Sequence, residues 1–179
     1  MGKTILYHIF GLGKIPKKFL PDITREGIIL MDEGIGGSVT FRKFRAPGKR
    51  YGYRRNWFSG SVVLTQKTFL AFTTFNPVIG VPWDDQRLNA LEYFLEKTET
   101  LCVRYDASVF NEEWSGTIEC RFKTPKARII LETIERKKRC CITPGAREPP
   151  ESPFDDDKWR SKGHKRMPEI LKGATGQQV

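Results

Sequence analysis

The chain has 179 residues, 39% of them hydrophobic, with twelve Phe and four Trp and a formal net charge of +10, enough apolar material for one buried core or for one domain with a tail. Its apolar runs are a few residues long, against the ~20 a membrane-crossing helix needs, and the N-terminus lacks the h-region and small-residue cleavage site of a secretory signal, so the expected location is cytoplasmic. Cys102, Cys120, Cys140 and Cys141 form no C-x-x-C pair and only His8 and His164 add imidazoles; neither a zinc site nor a secreted disulfide framework follows, and no metal or cofactor is expected.

Residues 1–25 mix apolar groups with Gly11, Gly13, Pro16 and Pro21 and read as a variable N-terminal segment, with Ile5, Leu6, Ile9 and Phe10 suited to a short helix against the core. GIILM at 27–31 suits a strand, and GIGG at 34–37 would allow a tight reversal. Val39, Phe41 and Lys43 then alternate with Thr40, Arg42 and Phe44, a second strand running into FRKFRAPGKRYGYRR at 41–55, whose turn is marked by Pro47-Gly48. SGSVVL (59–64) and TFLAFT (68–73), separated by Thr65, Gln66 and Lys67, have the spacing of a hairpin. In VIGVPW (78–83), Pro82 favours a strand end or an edge, and residues 88–95 fit a strand or a short helix. Leu101, Val103 and Tyr105 share one face, as do Ile118, Cys120 and Phe122, the period of half-buried antiparallel strands. The period then changes. Thr124 is placed as an N-cap, Pro125 at the first helical position, and Ala127, Ile130, Leu131 and Ile134 follow at i, i+3, i+4 and i+7, which predicts an amphipathic helix of about three turns. Residues 137–179 read as a flexible basic tail, too polar to offset the entropy of ordering it.

About seven antiparallel strands closed by one C-terminal helix is an α+β plan, an open barrel or sandwich whose end the helix covers. SGSVVLTQKTFLAF resembles the "G-x-x-x-L-T-x-x-R-L-L-x-F" hairpin of GRAM-like and bacterial pleckstrin-homology-like domains, with Gly60, Leu64, Thr65 and Phe72 on the pattern and Thr68 at its Arg position. VIGVPWDD resembles the next strand, and GTIECRFKTPKARIILETI the last strand and closing helix. The resemblance spans residues 26–136. It implies a pleckstrin-homology-like barrel of about seven antiparallel strands capped by one C-terminal helix, a non-enzymatic scaffold for membrane lipids or proteins, peripheral at the inner membrane surface where lipid is the ligand. Lipid-binding members hold phosphoinositide headgroups with basic residues on the first strands and their loop. Lys43-Phe44-Arg45 looks like the end of that motif, and LMDEGIGGSV occupies the place of its earlier Lys.

The charge is focal. Residues 41–55 carry seven basic groups (Arg42, Lys43, Arg45, Lys49, Arg50, Arg54 and Arg55) and no carboxylate, whereas residues 56–136 sum to −2. These seven are the candidate anion- or lipid-binding set. They suit docking on anionic phospholipid, where each group near the leaflet contributes about 1 kcal/mol and the association is weak and salt-sensitive. The alternative is a protein-protein interaction domain without lipid binding. Nucleic acid ranks behind both, because its binders usually spread their charge along a face or helix. The plainest reading of the charge, and the leading one, is a solvated hairpin whose cations keep a sheet edge from pairing. Tyr51, Tyr53 and Trp57 suit interfacial insertion, base stacking or a strand core.

No catalytic constellation is recognised. Asp84, Asp85, Asp106, Glu112 and Glu113 would do acid-base work only if their loops converged on one pocket. GLGK at 11–14 has His8 and Ile15 where a phosphate loop needs Gly and Ser or Thr. Cys140-Cys141 adjoins four cations that would favour thiolate, and Asp155-Asp156-Asp157 would suit a cation or a basic partner without the spacing of a calcium loop.

Overall fold

The computed structural model of the protein describes residues 13–74 and 76–141; the short helix expected over residues 5–10, both histidines and the tail from residue 142 lie outside them. In chain order the elements are α1 (Leu20–Glu26), β1 (Ile28–Ala46), β2 (Lys49–Thr65), β3 (Thr68–Thr73), β4 (Asn76–Pro82), a 3-10 turn (Gln86–Ala90), β5 (Glu92–Leu95), β6 (Thr100–Asp106), a second 3-10 turn (Ala107–Val109), β7 (Ser115–Lys123) and α2 (Ala127–Cys141). All seven strands join one antiparallel sheet in the order β4-β3-β2-β1-β7-β6-β5. The α+β plan of about seven antiparallel strands and a C-terminal helix is therefore present.

The sheet is curled rather than flat. Phe69 of β3 and Tyr93 of β5 stand five places apart in strand order, yet their rings meet at 5.8 Å, and the Tyr105 hydroxyl of β6 reaches the Val78 carbonyl of β4 at 3.5 Å. Strand twist accumulated over seven strands bends the sheet into a half-barrel, and the inward side chains, among them Val39, Phe41, Val62, Leu64, Phe69, Val103 and Phe122, form one core. Helix α2 covers one end with Ala127, Ile130 and Ile134, all fully buried, at about 1.5–3 kcal/mol for each large side chain. The Thr124 hydroxyl accepts from the Lys126 amide at 3.0 Å and donates to Asp32, which ties the helix start to the beginning of β1. At its other end Lys137 bonds the Gln66 side chain at 3.2 Å and the Lys138 ammonium lies 5.2 Å from the Tyr93 ring centroid. The helix runs 15 residues, continuing into positions the sequence pattern assigned to the tail.

Four features depart from the sequence pattern. The GIGG segment makes no reversal, because Gly34 (φ +70°) is taken up by a bulge inside the 19-residue β1, where the register against β2 shifts between Glu33 and Ile35. Residues 49–55 of the basic stretch and SGSVVL belong to one continuous β2. Residues 88–95 divide into the end of a 3-10 turn and β5, with Asp85 accepting from the Arg87 amide at 2.7 Å. Residues 13–26 are structural: Ile15 and Ile23 pack on the outer face of β2 and β3 with Val63, Leu70 and Phe72, and the Phe19 and Phe72 rings lie 5.3 Å apart. This second, smaller core is why VVL and TFLAF are apolar on both faces.

Close approach fixes two glycines. A Cβ at Gly37 would press into the Arg121 carbonyl and stand 2.5 Å from the Phe58 ring, and one at Gly60 would press into the Phe72 carbonyl and stand 2.9 Å from the same ring. Phe58 occupies the space both leave and meets Phe122 edge-on at 5.5 Å. No described helix is long and apolar enough to cross a membrane.

Candidate functional site at the β1–β2 hairpin

The beginning of β1 is bonded to the start of α2 through Asp32 and Thr124, whereas its far end pairs Arg45 with Ser115 at the beginning of β7. The tip of the β1–β2 hairpin therefore lies at the end of the half-barrel remote from the helix. From Gly60 onward β2 is flanked by β3, and the Thr74 amide bonds the Ser59 carbonyl at 2.7 Å. Residues 49–58 of β2 have β1 on one side and, among the described residues, no strand on the other. Because Ser59 directs its backbone groups toward β3, alternation directs those of Trp57, Arg55 and Tyr53 to that open edge.

The hairpin is held by a ring cluster. Phe44 is fully buried and stacks on Tyr51 (centroids 6.1 Å), with Phe41 and Trp114 edge-on to it at 5.2 and 5.8 Å. In a regular strand Phe41 and Phe44, three residues apart, would face opposite sides. Lys43 takes φ +50°, the register against β7 slips between Arg42 and Arg45, and both rings turn into the core. Gly116 (φ +98°) accommodates this bulge, since its Cβ would stand 2.5 Å from the Lys43 carbonyl oxygen.

Residues directly opposite in an antiparallel pair share a face, so the register sorts the seven cations. Arg42 is opposite Tyr53, Arg45 opposite Arg50, and Arg55 opposite Thr40; all four arginines lie on the face turned away from Phe41 and Phe44. Arg54 is opposite Phe41 and Lys49 opposite Ala46, on the core side, and Lys43 sits at the bulge. The structure thus brings together Arg42, Arg45, Arg50 and Arg55, and separates Lys49 and Arg54 from them. Tyr51 turns inward, whereas Tyr53 and Trp57 turn outward, 58% and 69% exposed.

Among the described residues none of the seven cations forms an ion pair with a carboxylate. Three of the five guanidinium groups rest on rings instead: Arg42 over Tyr53 at 5.5 Å, Arg55 over Trp57 at 5.8 Å and Arg54 over Tyr51 at 4.9 Å. Arg55 donates to the Thr40 hydroxyl at 3.2 Å and Arg54 to the Asn56 side-chain oxygen Oδ1 at 3.2 Å. The adjoining strands differ sharply. Glu119 of β7, only 1% exposed, accepts from Arg104 at 3.0 and 3.1 Å and is paired on its other oxygen with Arg121, which also donates to Glu96 at 2.7 Å. Arg104 and Arg121 are compensated by carboxylates; the cations of the hairpin are not. Sequence reasoning missed this network, although the alternation that sets Glu119 and Arg121 on one face of β7 and Arg104 on the matching face of β6 carried its signal.

Two of the five carboxylates weighed for acid-base work, Asp85 and Asp106, are committed locally. Asp85 is held by the Arg87 amide and guanidinium; burial raises its pKa, but the bonds from Arg87 outweigh burial and leave it below the usual carboxylate range. Asp106 accepts from the Ser108 amide and hydroxyl at 2.9 and 2.7 Å, capping the second 3-10 turn. Among the described residues no three His, Cys, Asp or Glu side chains are grouped to hold a metal. Cys102 and Cys120 are buried, and burial pushes their thiols up to about 11 and about 12, while Cys140 is exposed. No protein-family model matches the chain, and no curated protein matches it.

Proposed function

We propose that the protein is a non-enzymatic binding module, of the pleckstrin-homology-like kind its hairpin motif resembles, that docks on anionic phospholipid surfaces through the outward face of the β1–β2 hairpin. The observation that carries this reading is the set of four same-face arginines without carboxylate partners, flanked by the exposed rings of Tyr53 and Trp57. Uncompensated cations are drawn to a negative leaflet, and the amphipathic Tyr and Trp rings are side chains favoured at headgroup depth. A location at the end remote from α2 leaves the barrel clear of an approaching surface. Four arginines at about 1 kcal/mol each amount to roughly 4 kcal/mol, millimolar-class attachment on its own.

Vesicle flotation tests it. The protein should float with phosphatidylserine-containing vesicles at low salt, and not with pure phosphatidylcholine vesicles or at high salt. Arg45→Glu with Arg50→Glu removes two of the four charges and adds two repulsive ones, so binding should fall by roughly 100-fold or more. Unchanged flotation of the double variant refutes the proposal. A second reading, a protein-binding domain without lipid affinity, draws support from the open edge at Tyr53, Arg55 and Trp57, to which an extended segment could add as a strand. That reading predicts capture of a partner that survives both charge reversals.

A further inference from the structure

The chain contains its own match for the hairpin. Residues 148–157, EPPESPFDDD, hold five carboxylates and no cation, whereas residues 41–55 hold seven cations and no carboxylate. We infer that residues 148–157 fold back onto the outward face of the hairpin and occupy Arg42 and Arg55, so that the protein masks its own anion-binding surface. This rests on the anion-binding part of the function proposed above and is independent of lipid being the external ligand.

Reach permits it. Lys137, four residues before the end of α2, is bonded to Gln66 beside the end of β2, and Arg55 lies ten residues back along β2 from Thr65, roughly 33 Å at strand rise. Asp155 follows Cys141 by fourteen residues, a contour of at most ~50 Å. The segment can therefore meet Arg55 and Arg42 with slack, while Arg45 and Arg50 at the tip lie near its limit. Pro149, Pro150 and Pro153 lack the amide donors a strand ladder needs, so recognition falls to carboxylate–guanidinium contacts, which Arg can make in bidentate form, and to Phe154 against Trp57 or Tyr53. The hairpin arginines can accept such partners because the carboxylates of their own end, Glu112 and Glu113, form no ion pair with them among the described residues. Covalent linkage raises the effective concentration of the segment to about the millimolar range, comparable with the affinity expected of such a cluster.

The test uses the full chain carrying Asp155→Asn, Asp156→Asn and Asp157→Asn, because truncation would also remove the six Lys and Arg of residues 158–172. In NMR spectra without lipid, the triple variant should shift the backbone amides of Tyr53 and Arg55 and the Trp57 indole resonance, and leave those of β3 and β4 in place. Zero-length carboxylate-to-amine cross-linking of the unsubstituted chain should join residues 148–157 to Lys43. Unmoved hairpin resonances, or cross-links confined to the lysines of residues 158–172, overturn the inference. Flotation on phosphatidylserine vesicles should tighten roughly threefold in the triple variant. If the hairpin resonances move but neither protein floats, masking stands and the lipid reading fails; if both float equally and the resonances stay put, the lipid reading stands and masking fails.

Discussion

Replacing Phe44 with Ala would remove the ring on which the hairpin is seated. Phe44 is fully buried and contacts three other rings, Phe41 at 5.2 Å, Trp114 at 5.8 Å and Tyr51 at 6.1 Å. Aromatic pairs contribute about 0.5–1.5 kcal/mol each beyond their burial, and Phe→Ala in a core costs about 3–5 kcal/mol in all, so a loss of about 4 kcal/mol is expected. Against a total stability of about 5–15 kcal/mol this is a large fraction, and at about 3–5 °C per kcal/mol for a domain of this size it lowers Tm by about 12–20 °C. Thermal melts followed by circular dichroism read the global term. Hydrogen exchange reads the local one: amides at residues 49–54, which have no β3 beside them, should lose protection before those at residues 60–64, where β3 is paired. Phe44→Leu, which keeps most of the volume, should cost about half as much. A Tm loss below about 5 °C for the Ala variant, with exchange at residues 49–54 unaltered, would show that the ring cluster does not seat the hairpin.

Gly60→Ala should destabilise the protein by about 3 kcal/mol, because the added methyl meets the Phe72 carbonyl, which is fixed backbone, as well as the Phe58 ring; a urea midpoint equal to that of the unsubstituted protein would contradict the close approach. Iodoacetamide at mildly alkaline pH should modify Cys140 rapidly and spare Cys102 and Cys120, whose buried thiols stay protonated, until urea is added. Mass spectrometry that found Cys120 labelled in the folded protein would place that strand outside the core.

Elements whose periodicity is uninterrupted were legible in the sequence. The alternation over β6 and β7, the SGSVVL and TFLAFT hairpin, and the cap and spacing of α2 at Thr124, Ala127, Ile130 and Ile134 all identify strands or helix that the structure contains. Pro47-Gly48 does mark the turn between β1 and β2, but at the GIGG segment, where a reversal was expected, the reading failed. Gly34 can serve a reversal or a bulge by the same positive φ, and only pairing across β1 and β2 decides between them. The role of residues 13–26 was missed although its signal was present: VVL and TFLAF are too apolar for strands wetted on one face, and a second covering layer follows from that. The basic residues were visible as a cluster, but their division was not. The bulge at Lys43 breaks the alternation that would otherwise assign Phe41 and Phe44 to opposite faces, so period-two counting through it misplaces every side chain on one side of it.

The open edge of β2 has a consequence for crowded solutions. Two copies meeting along residues 49–58 could extend their sheets into one ribbon through the free backbone groups of Tyr53, Arg55 and Trp57, but that meeting would oppose Lys49, Arg50, Arg54 and Arg55 to their own kind. Repulsion between like cations guards the molecule against fibre seeding, and any polyanion that neutralises the arginines lowers that guard. Charge and self-assembly are thereby coupled at the hairpin: cations that pair with no carboxylate among the described residues also keep neighbouring molecules apart.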